Sequence, residues 1–145
     1  MFQRILVAVD GSDRALHALD LAVKIQQSCD AALMILCVYR HYSLLEASMA
    51  MVRPDDPEHL DKSMREYATS VVESAKARAV EGGAREPRGF VKSGPPARTI
   101  VSFAKDHDVN LIVIGSRGVG DIEGYLLGSV SHKVTSLSEC PTLVV

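Results

Sequence analysis

Three short stretches of this chain, ILVAV at residues 5–9, ALMILCV at 32–38 and LIVI at 111–114, are apolar without interruption. A strand with one wet face alternates apolar and polar side chains, whereas a strand covered on both faces does not. Each stretch leads into a longer segment whose apolar residues recur at helical spacing. Residues 4–10 read as a first strand. Ser12 then caps a helix to about residue 28, with Ala15, Leu19, Ala22 and Val23 on one face. Residues 32–40 form a second strand. Leu60, Met64, Tyr67, Ala68, Val71, Val72, Ala75 and Ala79 mark a helix that stops at Gly82 and Gly83. Residues 88–94 form a short third strand. Pro96 suits the first turn of a helix reaching about residue 105, with Ala97, Ile100, Val101 and Ala104 inward. Residues 110–115 are a fourth strand, 129–137 a further helix and 142–145 a terminal strand. The expected fold class is α/β: one doubly wound, open, parallel five-stranded sheet with helices on both faces.

At 145 residues the chain is one ordinary domain, spanning residues 1–145, and can bury a core without staples. Its 47% apolar content excludes global disorder. A net charge of −2 gives no electrostatic reason to expect nucleic acid or an anionic membrane as partner. No apolar run approaches a membrane span, so direct membrane insertion is not expected. Cys29, Cys37 and Cys140 are an odd set without C-x-x-C spacing, which favours a reducing cytosol over a disulfide framework or zinc site. One stretch, residues 41–59, is too long for a plain connection. It reads as a lid, a contact surface or a short helical turn over the sheet edge.

The chemistry gathers after the fourth strand. Glycines stand at 115, 118, 120, 124 and 128, and Ser129, Val130 and Ser131 follow the last at once. In doubly wound sheets ligands sit beyond the carboxyl ends of strands where the order reverses. If strands 1 and 4 flank that reversal, Asp10 and the Gly115 loop face each other. A helix starting near Ser129 offers unpaired N–H groups and partial positive charge. Ser129 and Ser131 add hydroxyl donors. The pattern is neither a Walker A loop, having no Lys after a glycine, nor G-x-G-x-x-G. On spacing alone it serves either a phosphate or a structural turn. Asp10 is a ligand group, a helix cap or an ion-pair partner, and Val38 could be a plain core residue.

Gly115-x-x-Gly118, nine residues and Gly128-Ser129 resemble the ATP-binding signature of the universal stress protein family. The likeness covers the whole chain: RILVAVDGS, LCVYR, LIVIGSRG, LLGSVSHKV and CPTLVV resemble successive blocks of the family. The resemblance implies a Rossmann-like sheet of order 3-2-1-4-5, related to the adenine nucleotide alpha hydrolases. It implies that Asp10, next to Val9, accepts hydrogen bonds from ribose and that Val38 meets the adenine edge through its backbone. Ala8 and Ile114 would sandwich the base. Gly115, Gly118, Gly128, Ser129, Val130 and Ser131 would hold phosphates, with Arg117 and Lys133 the nearest cations.

The nine-residue spacer VGDIEGYLL departs from the basic spacer of many nucleotide-binding relatives, with Asp121 and Glu123 and no Lys or Arg. That composition repels a polyphosphate. It calls either for Mg²⁺ accompanying ATP or for ADP or AMP as the ligand. No metal ligands are assigned.

The resemblance implies a cytosolic regulatory module that binds ATP and forms homodimers. Thr142, Leu143, Val144 and Val145 form a short apolar edge suited to two-fold pairing. Leu44, Leu45, Met49 and Met51 offer a second contact, for a tetramer, or a lid. CVYRHYSLLEASMAMVRP is similar to a segment of stress proteins associated with TRAP-type transporters, which makes a regulated membrane transporter a candidate partner. The competing readings are a slow ATPase or phosphotransferase, for which His132 lies nearest the loop, and a dimeric scaffold without nucleotide. A dehalogenase-type phosphatase wants Asp where Ser12 stands, and a phosphorelay receiver wants Asp at the end of the third strand. A flavodoxin wants more aromatic cover.

Overall fold

A computed structural model describes residues 1–40, 57–118 and 127–145. Among them β1 (Arg4–Ala8), β2 (Ala32–Tyr39), β3 (Arg88–Ser93), β4 (Leu111–Ile114) and β5 (Thr142–Val144) form one sheet. Its order is β3-β2-β1-β4-β5, and every pairing is parallel. The described helices are α1 (Asp13–Cys29), α2 (Pro57–Glu81), α3 (Pro96–Asp106) and α4 (Ser129–Leu137). The doubly wound sheet and its strand order are therefore those expected. Most of the insert at 41–59, with Leu44, Leu45, Met49 and Met51, lies outside the described residues. So does nearly all of the acidic spacer, including Asp121 and Glu123.

The uninterrupted apolar runs have a direct cause. Ile5, Val7 and Val9 pack on one face with Ala18, Leu19 and Ala22 of α1 and Ala68, Val72 and Ala75 of α2. Leu6 and Ala8 face the other way, with Ala97, Ile100, Phe103 and Ala104 of α3 and Val134 of α4. Ile5, Leu6 and Val7 are 0% exposed, so both faces of the central strand are dry. Each such side chain stabilises the fold by roughly 1.5–3 kcal/mol of apolar transfer. β2 and β4 divide in the same way, with Leu33, Ile35 and Val113 on the first face and Met34, Leu36 and Ile112 on the second. On α3 the buried stripe is Ala97, Ile100, Phe103 and Ala104, while Val101, expected inward, is only half-buried at its margin.

Local signals set the ends of α1. Gly11 holds φ +88°, a left-handed conformation natural to glycine. Ser12 is then extended, and its hydroxyl accepts the Ala15 N–H at 3.3 Å, an N-cap. At the other end Asp30 takes φ 56° and donates its N–H to the Gln26 carbonyl. Gln26 is 1% exposed. Its Nε2 donates to the Arg85 carbonyl at 2.9 Å and its Oε1 accepts the Arg85 N–H at 3.2 Å. That pair ties α1 to the turn before β3 at the amino end of the sheet.

The ladders stop slightly short of the apolar runs, with β1 ending at Ala8 and β2 at Tyr39. Beyond Ala8 one bond remains, from the Val9 N–H to the Leu36 carbonyl at 2.9 Å. The chain then turns away into α1, and the sheet opens there.

Candidate functional site

β1 and β4 are adjacent, with Ala8 opposite Ile114. The helix after β1 covers one face of the sheet, and the helix that follows β4 in the chain covers the other. Such a reversal leaves a crevice at the strands' carboxyl ends. A cleft of about 280 Å³ occupies it, near the small end of the roughly 300–1,000 Å³ of ligand pockets. Ala8, Val9, Asp10, Val38, Ile114, Gly115, Arg117, Gly118, Ser129, Val130 and Ser131 all line this cleft. Of the residues singled out from the sequence as ligand-binding, Gly128 alone does not.

The wall is apolar. Ala8, Val38 and Ile114 lie on the second face of the sheet, and Pro96 and Ile100 of α3 stand over them. Val38 contributes more than a side chain. In β2 the Leu36 carbonyl points at β1, where it accepts from Val9, and the Tyr39 carbonyl points at β3, where it accepts from Gly94 at 2.9 Å. Backbone direction alternates along a strand, so the N–H and C=O of Val38 point to the β1 side. β1 has already turned away at that level, which leaves one donor and one acceptor directed into the cleft. Asp10 stands at the end of β1, and its Oδ1 accepts the Ser12 N–H at 2.9 Å, which fixes the carboxylate's direction. Behind it the Cys37 thiol is 5% exposed. Burial first, and then the Asp10 charge, push its pKa from 9.0 up to about 11.

The opposite end of the cleft is built from backbone. α4 begins at Gly128, which is extended and offers no side-chain cap. The N–H groups of Ser129, Val130 and Ser131 fall in the first turn, where a helix supplies no acceptor and the dipole is positive. Gly128 closes the loop instead, donating its N–H to the Ser116 carbonyl at 2.6 Å. Ser131 is 2% exposed, and its hydroxyl donates to the Ser116 carbonyl at 2.8 Å. The hydroxyl expected as a ligand donor thus has its proton committed to holding the loop, because Ser131 sits one turn inside the helix above Ser116. What Ser131 offers the cleft is its amide. Ser129 is exposed at the lip.

Gly115 has a second reason to be glycine. A Cβ there would lie 3.0 Å from the Arg14 carbonyl carbon and 3.1 Å from the Ala15 nitrogen, both backbone atoms of α1. The missing side chain lets the first turn of α1 settle against the end of β4, closing the crevice behind the ligand space.

The cleft also contains Ser12, Ala15, Leu36, Arg40, Pro96 and Ile100, which sequence reasoning did not name as site residues. Most had a usable signal: Ser12 follows Asp-Gly at a strand end, and Pro96 opens a helix after β3, both at the carboxyl side of the sheet. Arg40, a charge directly after an apolar strand, reads as an ordinary solvated end. Among the described residues, the cations lining the cleft are Arg40 and Arg117. Lys133, expected nearby, is exposed on α4 and does not line it, and neither does His132.

A magnesium site does not assemble from the described residues. Asp10 is their one carboxylate in the lining, and no cluster of three His, Cys, Asp or Glu side chains occurs among them. No described helix is long and apolar enough to cross a membrane.

Parallel sheet, reversal-point cleft and open helix N-terminus define a Rossmann-like α/β protein. The chain belongs to the universal stress protein family, whose model matches residues 1–145. It is 39% identical over 149 residues to the universal stress protein YxiE of Bacillus subtilis, covering 100% of this chain and 99% of that one. Universal stress protein UspA from Lactobacillus plantarum superposes with a TM-score of 0.84 at 26% identity, over 99% of this chain and 97% of that one. A universal stress protein crystallised in complex with cAMP gives a TM-score of 0.74 at 31% identity, over 99% of this chain and 97% of its own.

Proposed function

We propose that this chain binds an adenine nucleotide in the cleft and acts as a nucleotide-responsive regulatory protein. The observation that carries the reading is the convergence, at one strand reversal, of the Val38 backbone edge, the Asp10 carboxylate and the first-turn amides of α4. The spacing of these groups follows the parts of a nucleotide. The base lies between Ala8 and Ile114, with the donor and acceptor of Val38 at its polar edge. Asp10 accepts from the ribose hydroxyls. The phosphates meet the amides of Ser129, Val130 and Ser131, with Gly115 and Gly118 allowing close approach. The related protein solved with cAMP supports an adenine nucleotide as the ligand class.

A single arginine beside the glycine loop, Arg117, balances a monophosphate better than a triphosphate. Where ATP is the ligand, Mg²⁺ travels on its phosphates rather than in a protein cage. Removing the metal should then weaken ATP and leave AMP unchanged. The reading is of a binding module with at most slow hydrolysis, since rapid phosphoryl transfer wants a positioned base and charge stabilisation. Asp10 is turned toward Ser12 and His132 lies outside the cleft lining.

In this reading the output is self-association or control of a partner, a membrane transporter among the candidates. The β5 edge is the proposed homodimer contact, pairing with its two-fold copy, and residues 41–59 are the proposed second contact of a tetramer. Calorimetric titration with AMP, ADP and ATP, with and without EDTA, tests the function. One site per chain supports it, and no heat with any of the three overturns it.

A further inference from the structure

We infer that Arg40 is a base-recognition residue, its guanidinium lying against the nucleobase rather than the phosphates. The inference rests on the nucleotide reading above and assigns a residue which that reading leaves unused. Tyr39 packs against the core of the first sheet face and Val38 against that of the second. The next side chain in that alternation, Arg40, rises on the face of Val38, where it lines the cleft. The phosphate-holding amides belong to α4, which follows β4. β2 and β4 flank β1, so their ends stand roughly 10 Å apart at ordinary strand spacing. Arg40 therefore stands at the Val38 end of the cleft and Arg117 at the α4 end.

The walls on the Val38 side of the cleft are apolar: Ala8, Pro96 and Ile100. Among the described residues Arg40 makes no side-chain hydrogen bond or ion pair. A planar cation at the mouth of an apolar slot suits a flat π system. It stacks on the face of a base and shields it from water, which a lysine does less well.

The test compares AMP with ribose 5-phosphate, which keeps the sugar and phosphate and lacks the base. Calorimetric affinities are measured for the wild type, Arg40→Ala, Arg40→Lys and Arg117→Ala. Arg40→Ala should weaken AMP about 5- to 30-fold and leave ribose 5-phosphate unchanged. Arg40→Lys should recover only part of the loss. Arg117→Ala should weaken both ligands. Equal loss of both ligands in Arg40→Ala places the guanidinium on the phosphate and overturns the inference, as does an unchanged AMP affinity. If the wild type binds neither ligand, the nucleotide reading itself fails and this inference falls with it. Arg40 is exposed, and an unchanged melting curve for Arg40→Ala shows that the affinities come from folded protein.

Discussion

Replacing Gly115 by alanine tests how the cleft is closed. The new methyl carbon would sit 3.0 Å from the Arg14 carbonyl carbon, 3.1 Å from the Ala15 nitrogen and 3.1 Å from the Arg14 Cβ. Carbon atoms in contact prefer about 3.5–4.0 Å, so something must yield by several tenths of an ångström. Two of the three neighbours are helix backbone and cannot rotate aside. The first turn of α1 must move as a unit, and with it the Ser12 cap and the Asp10 carboxylate bonded to the Ser12 N–H. Overpacking of this kind costs about 1–3 kcal/mol. For a domain of this size that is a fall in melting temperature of about 3–10 °C. Adenine-nucleotide affinity should fall too, because Asp10 is displaced. Thermal unfolding followed by circular dichroism, with calorimetric titration of AMP, reads both effects. A Gly115→Ala protein as stable as the wild type and binding as tightly would refute the packing argument.

Other perturbations separate the elements of the account. Gln26→Leu removes the buried amide that pairs with the half-buried Arg85 N–H and carbonyl at the far end of the sheet; it should cost about 1–2 kcal/mol in urea unfolding and leave nucleotide affinity unchanged. Val144→Pro bears on self-association. The Val145 N–H donates to Ile114, so by alternation the Val144 N–H points to the open edge, and proline there should abolish a β5-mediated dimer in sedimentation while the sheet still forms. The Cys37 thiol keeps its proton to about 11 when folded, against 9.0 when free. The unfolded chain therefore binds fewer protons between those values, and stability should fall by about 2–3 kcal/mol from pH 9 to 11. Cys37→Ala should remove that part of the slope.

Much of the fold is legible in the chain because a parallel strand buried on both faces writes itself as an unbroken apolar run. ILVAV, ALMILCV and LIVI are such runs, and the first and third supply the two strand ends that frame the cleft. Ser12 and Pro96 mark helix starts for local reasons, which sequence also shows. What stays hidden depends on contacts between distant segments. Gly115 is read from the chain as part of an anion loop, but its closest neighbours, Arg14 and Ala15, lie some hundred residues earlier. Ser131 reads as a hydroxyl donor, and only the fold shows that its proton reaches Ser116. Arg40 reads as a solvated strand end, because nothing in one dimension says that α3 stands over the face from which it rises. The strand ends were overrun by one or two residues, since the apolar pattern continues past the point where the ladder stops.

The central claim is that backbone amides at the ends of β2 and α4 grip one adenine nucleotide. Amide chemical-shift mapping during titration with AMP tests it most directly. The account predicts saturable shifts that are largest at Val38, Ser129, Val130 and Ser131, from the two ends of the cleft. No shift at millimolar AMP, or shifts confined to the outer face of α3 around Arg98 and Ser102, would contradict it.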